Sequence, residues 1–256
     1  MAEQVGDFDY EAHGSGYAVR RRTDPAIAAH VRAGLGGART VLNVGAGSGS
    51  YEPEGLYVVA VEPSAAMRAQ RPAHLGPAIN ARAEELPFDD DAFDAAMAMV
   101  TVHQWTDSVR GLGEMRRVTR GPVAVLTFDG TALDQFWLAE YAPELMSAER
   151  RRYPKIESIC DALAGRHAEI TSIPIPLDCV DGFTEAYYGR PEAFLEPAVR
   201  RSQSAWGFVE ADAEERAVRR LREDLSSGAW DERYGALRTQ PYFVGSLRLV
   251  VVPGAQ

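Results

Sequence analysis

Apolar residues recur along the chain at two different spacings. After Thr23-Asp24-Pro25, the residues Ile27, Val31 and Leu35 fall four apart, on one face of a helix. Asp24 is placed to cap that helix and Pro25 suits its first position. Gly34, Gly36 and Gly37 predict its end. Strand-like runs follow at Thr40–Val44, Tyr57–Glu62, Phe93–Val100 and Pro122–Phe128. Between the last two, Asp107 caps a predicted helix reaching about Val118. This alternation predicts an α/β fold, a parallel sheet covered by helices.

The second half carries a different pattern. Leu133–Gly165 reads as mostly helical, and Ala168–Ile175 as a further strand. Asp178–Trp206 is rich in aromatics and prolines. Asp212 and Glu215 fit a D-x-x-E variant of the capping box ahead of a helix with the stripe Ala217, Leu221 and Leu225. Gly228 predicts its stop, and Val244–Val252 a closing strand. The expected plan is a helical cover over 1–37, a nucleotide-binding core over 38–130, a helical, aromatic lid over 131–242 with one core strand near 168–175, and a final strand within 243–256.

The chemistry concentrates in the bend NVGAGSG, whose glycines are Gly45, Gly47 and Gly49. Such a bend leaves a strand sharply and lets backbone approach a ligand too closely for Cβ atoms. A dinucleotide fingerprint places glycine where Ser50 stands. Only Gly45–Leu56 separates the two strands, and Pro53 and Gly55 interrupt it. A parallel crossover needs about a dozen residues, so this one holds one helical turn and is poorly built to seat a pyrophosphate on a helix dipole. Glu62 ends the second strand, where a carboxylate can accept from both hydroxyls of a ribose. Together these residues point to adenosine carrying something other than phosphate.

Composition narrows the partners. A net charge of −10 argues against nucleic acid, and no apolar run approaches the roughly 18–20 residues that span a bilayer. The acidic start MAEQVGDFDYEAH is unlike a signal peptide, which places the chain in the cytoplasm. Cys160 and Cys179 read as buried free thiols. Neither they nor the five histidines show metal-ligand spacing, so no metal is expected.

NVGAGSG, then AVEPSAAM, AEELPFDDDAFDAAMAM, HQW and EMRRV, resemble the ordered motifs of class I S-adenosylmethionine-dependent methyltransferases over about Val41–Phe128. The similarity is strongest to the small-molecule branch that includes the ubiquinone-biosynthesis and trans-aconitate types. It implies a Rossmann-like, mostly parallel sheet with one antiparallel strand near the C-terminus and helical lid insertions. It also implies S-adenosylmethionine as cofactor and methyl transfer to a small organic substrate. On this resemblance Gly45, Ala46 and Gly47 lie under the methionine portion. Glu62 holds the ribose, while Pro63, Ser64 and Met67 border the adenine and Ala83 and Glu84 reach its edge. Val100 and Thr101 face the sulfonium region. Asn43 stands where the family usually has an acid against the cofactor's ammonium, and Arg82 where an aspartate often reads the adenine. Tyr17 and Arg21 are placed to close over the cofactor's carboxylate.

His103, in TVHQWTD just past the fourth strand, is the candidate catalytic base. Lining the pocket without proton transfer and holding a structural corner are its other roles. Trp105 reads as substrate wall or core. The aromatics Phe136, Trp137, Tyr141, Phe183, Tyr187, Tyr188 and Phe194 are expected in the lid, with Arg190, Arg200 and Arg201 as candidates to receive an acidic substrate. A non-methylating S-adenosylmethionine-binding role and NAD(P)-dependent oxidoreduction are the competing functions. Substrate identity, the atom methylated and oligomeric state are not written in these residues.

Overall fold

Asp24 accepts hydrogen bonds from the backbone N–H groups of Ala26 (3.0 Å) and Ile27 (3.3 Å), and Pro25 takes the first turn. Helix α1 (Pro25–Gly34) therefore starts where the sequence predicts, with Ile27, Val31 and Leu35 buried beneath it. The computed structural model describes residues 20–163 and 167–254. The next elements are β1 (Thr40–Val44), β2 (Tyr57–Val61), the single turn α2 (Ala65–Arg68) and the short β3 (Ala78–Ile79). They are followed by β4 (Ala95–Met99), α3 (Ser108–Arg117), capped by Asp107 through the Arg110 N–H, and β5 (Val123–Phe128). After β5 come α4 (Pro143–Arg152), α5 (Ile156–Ala162), β6 (Glu169–Ser172) and β7 (Ile175–Pro176). The chain closes with α6 (Pro197–Arg201), α7 (Ala211–Ser227), α8 (Ala229–Tyr234), β8 (Tyr242–Phe243) and β9 (Leu247–Val252).

Seven strands form one sheet in the order β3-β2-β1-β4-β5-β9-β6. Pairing is parallel from β3 to β5, and β9 runs antiparallel to both of its neighbours. This is the Rossmann-like class I methyltransferase sheet, with its one antiparallel strand near the C-terminus. Side chains of successive strand residues point to opposite faces, and both faces are covered. Val41, Met97, Ala124 and Leu126 pack with α1 and the C-terminal aromatics. Leu42, Ala96, Val123 and Val125 pack with Leu112 and Met115 of α3 and Ile159 of α5.

Several expectations are corrected. The predicted strand 168–175 divides: β6 joins the main sheet, while β7 pairs with β8 in a separate two-stranded sheet. Helix α7 starts before the predicted box, so Asp212 sits inside its first turn and pairs with Arg216 one turn on. A cap must lie outside the helix with extended backbone, and Glu210 holds that position without a side-chain bond. Gly228 ends α7 at φ +84°, as expected. The closing strand begins three residues late, at Leu247, because Ser246 is drawn to Glu185. Leu133–Leu163 is mostly helical, as expected, and is made of α4, α5 and two 3-10 turns.

The expected lid aromatics are mostly core. Trp137 donates from Nε1 to the Tyr188 carbonyl (2.9 Å), and its ring meets Tyr141, Phe194 and Trp230 edge-on. Phe136 and Tyr188 are fully buried, and Tyr187 packs on Phe194. Of the seven, Phe183 lines a cavity described below. Cys179 is buried and free as expected; Cys160 is free but only half-buried. No described helix is long and apolar enough to cross a membrane.

Candidate functional site

The chain between β1 and β2 forms turns and no helix. Gly45, Gly47 and Gly49 hold φ values of +68°, +52° and +98°, a region that side chains rarely enter. A Cβ on Gly45 would sit inside the Thr101 side chain, and one on Gly47 would come within 3.2 Å of the Met67 methyl. Two non-glycine residues also adopt left-handed backbone here, Tyr51 (φ 64°) and Val100 (φ 52°). For a β-branched residue such as Val100 this is a strained conformation, costing on the order of 1–3 kcal/mol. Strain of that kind gathers at ligand sites. Val100 follows the end of β4, at the carboxyl edge of the sheet.

Glu62 follows directly on β2 and reaches back across the bend. One carboxylate oxygen accepts from the Gly47 N–H (2.8 Å), the other from the Ser64 N–H (2.8 Å). Burial pushes its carboxyl above the ordinary range, against the lowering by those two N–H groups and by Arg68 and Arg71. Each oxygen retains a lone pair, so two further hydroxyls can be received. Asn43 donates to Glu52 (3.0 Å), while its own Oδ1 is buried without a partner.

These groups line one open crevice. Gly45, Ala46 and Gly47 form its floor together with Asn43 and Glu62. Pro63, Ser64 and Met67 form one side, where Ser64 also caps α2 through the Met67 N–H (3.2 Å). Ala83 and Glu84 face them, with Glu84 accepting from the Asp107 N–H (3.0 Å) at the start of α3. Val100 and Thr101 close the sheet end, and Arg21 the mouth. Arg21 pairs with Asp181 (2.6 Å), which also accepts from the Tyr51 hydroxyl (2.7 Å). Tyr17 lies outside the described residues.

The crevice also takes in residues that the sequence reading did not assign to it: Ser48, Ser50, Tyr51, Met99, Gln104 and Thr106. Ser48, Met99, Gln104 and Thr106 flank assigned residues directly, so adjacency was their signal; Ser50 and Tyr51 had none beyond their place in the bend. Arg82 and Trp105 line the crevice too; Trp105 packs against Gly111 as well, and is both wall and core.

His103 is in neither the floor nor the sides of the crevice. It lines an adjoining chamber that shares Arg21 and Val100 with it. One imidazole nitrogen, Nε2, meets the Gln104 amide (2.7 Å), and Nδ1 has no protein partner. Burial first, then Arg152 and Arg21, hold its basicity well below the usual value, so the ring is neutral at pH 7. Arg190 and Arg200 do not line this chamber. Arg190 is bound to the Cys179 and Ala186 carbonyls, and Arg200 to Glu214 and the Phe194 carbonyl. Arg201 is exposed on α6.

The comparisons agree with this geometry. Residues 42–126 match the family of the methyltransferase domain. A putative methyltransferase from an antibiotic biosynthesis pathway of Anabaena variabilis shares the fold at a TM-score of 0.83, with 28% identity over 91% of this chain and 98% of that one. An uncharacterized methyltransferase of Mycobacterium bovis is 40% identical over 32% of this chain and 36% of its own length. A ubiquinone/menaquinone biosynthesis C-methyltransferase of Citrifermentans bemidjiense is 31% identical over 40% and 51% respectively. The chain thus spans about a third to a half of the length of these curated relatives. The sheet has the class I methyltransferase fold, and the match to the methyltransferase-domain family falls on residues 42–126.

Proposed function

We propose that the chain transfers the methyl group of S-adenosylmethionine to a small organic acceptor. The observation that carries this reading is the bend itself. It offers backbone N–H groups, a ribose-sized carboxylate and a buried amide oxygen, and no helix to hold a pyrophosphate. The residues present fit the cofactor. The Asn43 Oδ1 is an unmatched buried acceptor suited to its ammonium, Glu62 to its ribose hydroxyls, and the left-handed glycines to close approach. The lobe between Met67, Ala83 and Glu84 takes the adenine, and Val100 and Thr101 stand beside the reacting end. Arg21 is the group toward the carboxylate, held there by Asp181.

Bound there, S-adenosylmethionine supplies a sulfonium-activated methyl group open to in-line displacement. The protein then has to align an acceptor and exclude water, which alone can contribute several kcal/mol. Val100 sits in the wall between crevice and chamber, so an acceptor in the chamber approaches past it. There His103 stands ready to take a proton from a hydroxyl acceptor.

Calorimetry with S-adenosylmethionine, S-adenosylhomocysteine and NADH tests the reading. We expect both sulfur ligands to bind and NADH not to. Labelled-methyl transfer to small-molecule acceptors should follow. Binding of NADH in preference would reject the assignment.

A further inference from the structure

Beside the proposed cofactor crevice lies a chamber with polar groups that no element of the methyl-donor site uses. Thr184 Oγ1 lies 3.3 Å from Glu149 Oε1 and 3.1 Å from Gln203 Oε1, drawing a carboxyl and an amide into one clamp. Trp206 Nε1 can only donate, and it lies 3.2 Å from the same Gln203 oxygen. That contact fixes the amide: its oxygen is turned to Trp206, and its NH₂ is a donor without a protein partner. Glu149 Oε2 is likewise without one. Glu149 is 6% exposed and Gln203 4%, so neither is served by bulk water. An unmatched buried polar group is costly. A donor and an acceptor left unmatched side by side therefore mark a place built for a guest.

Resting on the methyl-donor reading, we propose that this chamber receives the acceptor: a neutral aromatic that docks a hydroxyl group between Glu149 and Gln203. A hydroxyl donates to the carboxyl oxygen and accepts from the amide nitrogen, satisfying both at once. An ammonium would only donate, leaving the Gln203 NH₂ unmatched, and it would face the positive charge that Arg152 and Arg21 bring to Glu149. A carboxylate carries no donor, so it would leave the Glu149 oxygen unmatched. The walls suit a flat ring. Phe128 stands 5.2 Å from Tyr153 and 5.3 Å from Phe183, centroid to centroid. His103 lies 4.8 Å from Tyr153, ring to ring, and Tyr153 lines the chamber together with Glu149. Tyr153 thus separates the docked hydroxyl from the group beside His103.

The test is calorimetry on the intact chain saturated with S-adenosylhomocysteine, using one ring with three substituents: benzyl alcohol, benzylamine and benzoate. The alcohol should bind at least about tenfold tighter than the cation or the anion. Glu149→Gln should weaken it about fivefold or more. Gln203→Glu keeps the oxygen that Trp206 and Thr184 need and exchanges only the donor, so it should turn the preference toward benzylamine. S-adenosylhomocysteine affinity should stay within about twofold in both variants. Equal or tighter binding of benzylamine or benzoate by the unaltered chain would overturn the proposal. So would unchanged selectivity in Gln203→Glu, or binding of S-adenosylhomocysteine with no probe bound. If the unaltered chain fails to bind S-adenosylhomocysteine, the donor reading itself falls, and this proposal with it.

Discussion

Asn43 Nδ2 lies 3.0 Å from a carboxylate oxygen of Glu52, and the same carboxylate holds Arg71 through two bonds of 2.9 and 3.0 Å. A carboxylate can only accept, so Asn43 is locked with its nitrogen toward Glu52 and its oxygen free for the crevice. The acid expected at this position is thus replaced by a neutral acceptor of fixed orientation, with a buried, paired carboxylate behind it.

Asn43→Leu keeps the side-chain volume and removes that acceptor. A hydrogen bond to a charged group contributes about 1.5–3 kcal/mol, so S-adenosylhomocysteine affinity should fall roughly tenfold or more by calorimetry. Unaltered affinity would take Asn43 out of the cofactor's polar contacts.

The bend makes a second prediction about stability. Gly45 is left-handed and leaves no space for a Cβ beside Thr101. Gly45→Ala therefore meets two penalties, backbone strain and a clash, which together should cost more than about 1 kcal/mol. Thr101→Gly removes the three atoms nearest the new methyl. In a double-mutant cycle by urea unfolding, the clash should cancel and the strain remain, giving a coupling of at least about 0.5 kcal/mol. Strict additivity would mean that Thr101 does not confine the bend.

Much of this architecture is written locally. The Asp24 and Asp107 caps, the β-branched runs of β1 and β5 and the glycines of the bend each act through neighbours a few residues away, and each was legible. The crevice floor was legible for the same reason, since Asn43 to Gly47 and Glu62 to Met67 are contiguous stretches at strand ends. The chamber was not. Glu149, Gln203 and Thr184 come from α4, the turn after α6 and an aromatic turn, and only tertiary packing brings them together. No spacing rule connects them. The lid aromatics misled for a related reason: apolar rings in a helical segment serve a core and a pocket equally well, and burial decided for the core.

Glu185 carries a pH signature. Burial pushes its carboxyl up to about 7, opposed by the Ser246 N–H and hydroxyl that it accepts from or shares a proton with. The folded chain therefore keeps a proton that the unfolded chain releases near the ordinary value of about 4.3. Its stabilising contribution is full below that value and is lost as pH rises toward 7, by up to roughly 1.4 kcal/mol per unit. Glu185→Gln keeps the hydrogen-bonding atoms and removes the titration. Urea unfolding at pH 5, 6 and 7 should show the unaltered chain losing stability relative to the variant as pH rises. A pH-independent difference would contradict the raised carboxyl.

His103 titrates in the opposite sense. Burial disfavours the imidazolium, and Arg152 and Arg21 add positive charge around it. A proton-detected NMR titration, with His103→Asn identifying the resonance, should place its midpoint below the 6.5 of a free imidazole. The consequence for catalysis follows from the sign. A neutral ring is a competent proton acceptor across the physiological range, so transfer to a hydroxyl acceptor should hold its rate down to a lower pH than a free imidazole would permit. His103→Ala should lower turnover by about tenfold or more while S-adenosylhomocysteine affinity stays unchanged. A midpoint above 6.5 would refute the electrostatic environment, and near-normal turnover in the variant would reduce His103 to a wall of the chamber.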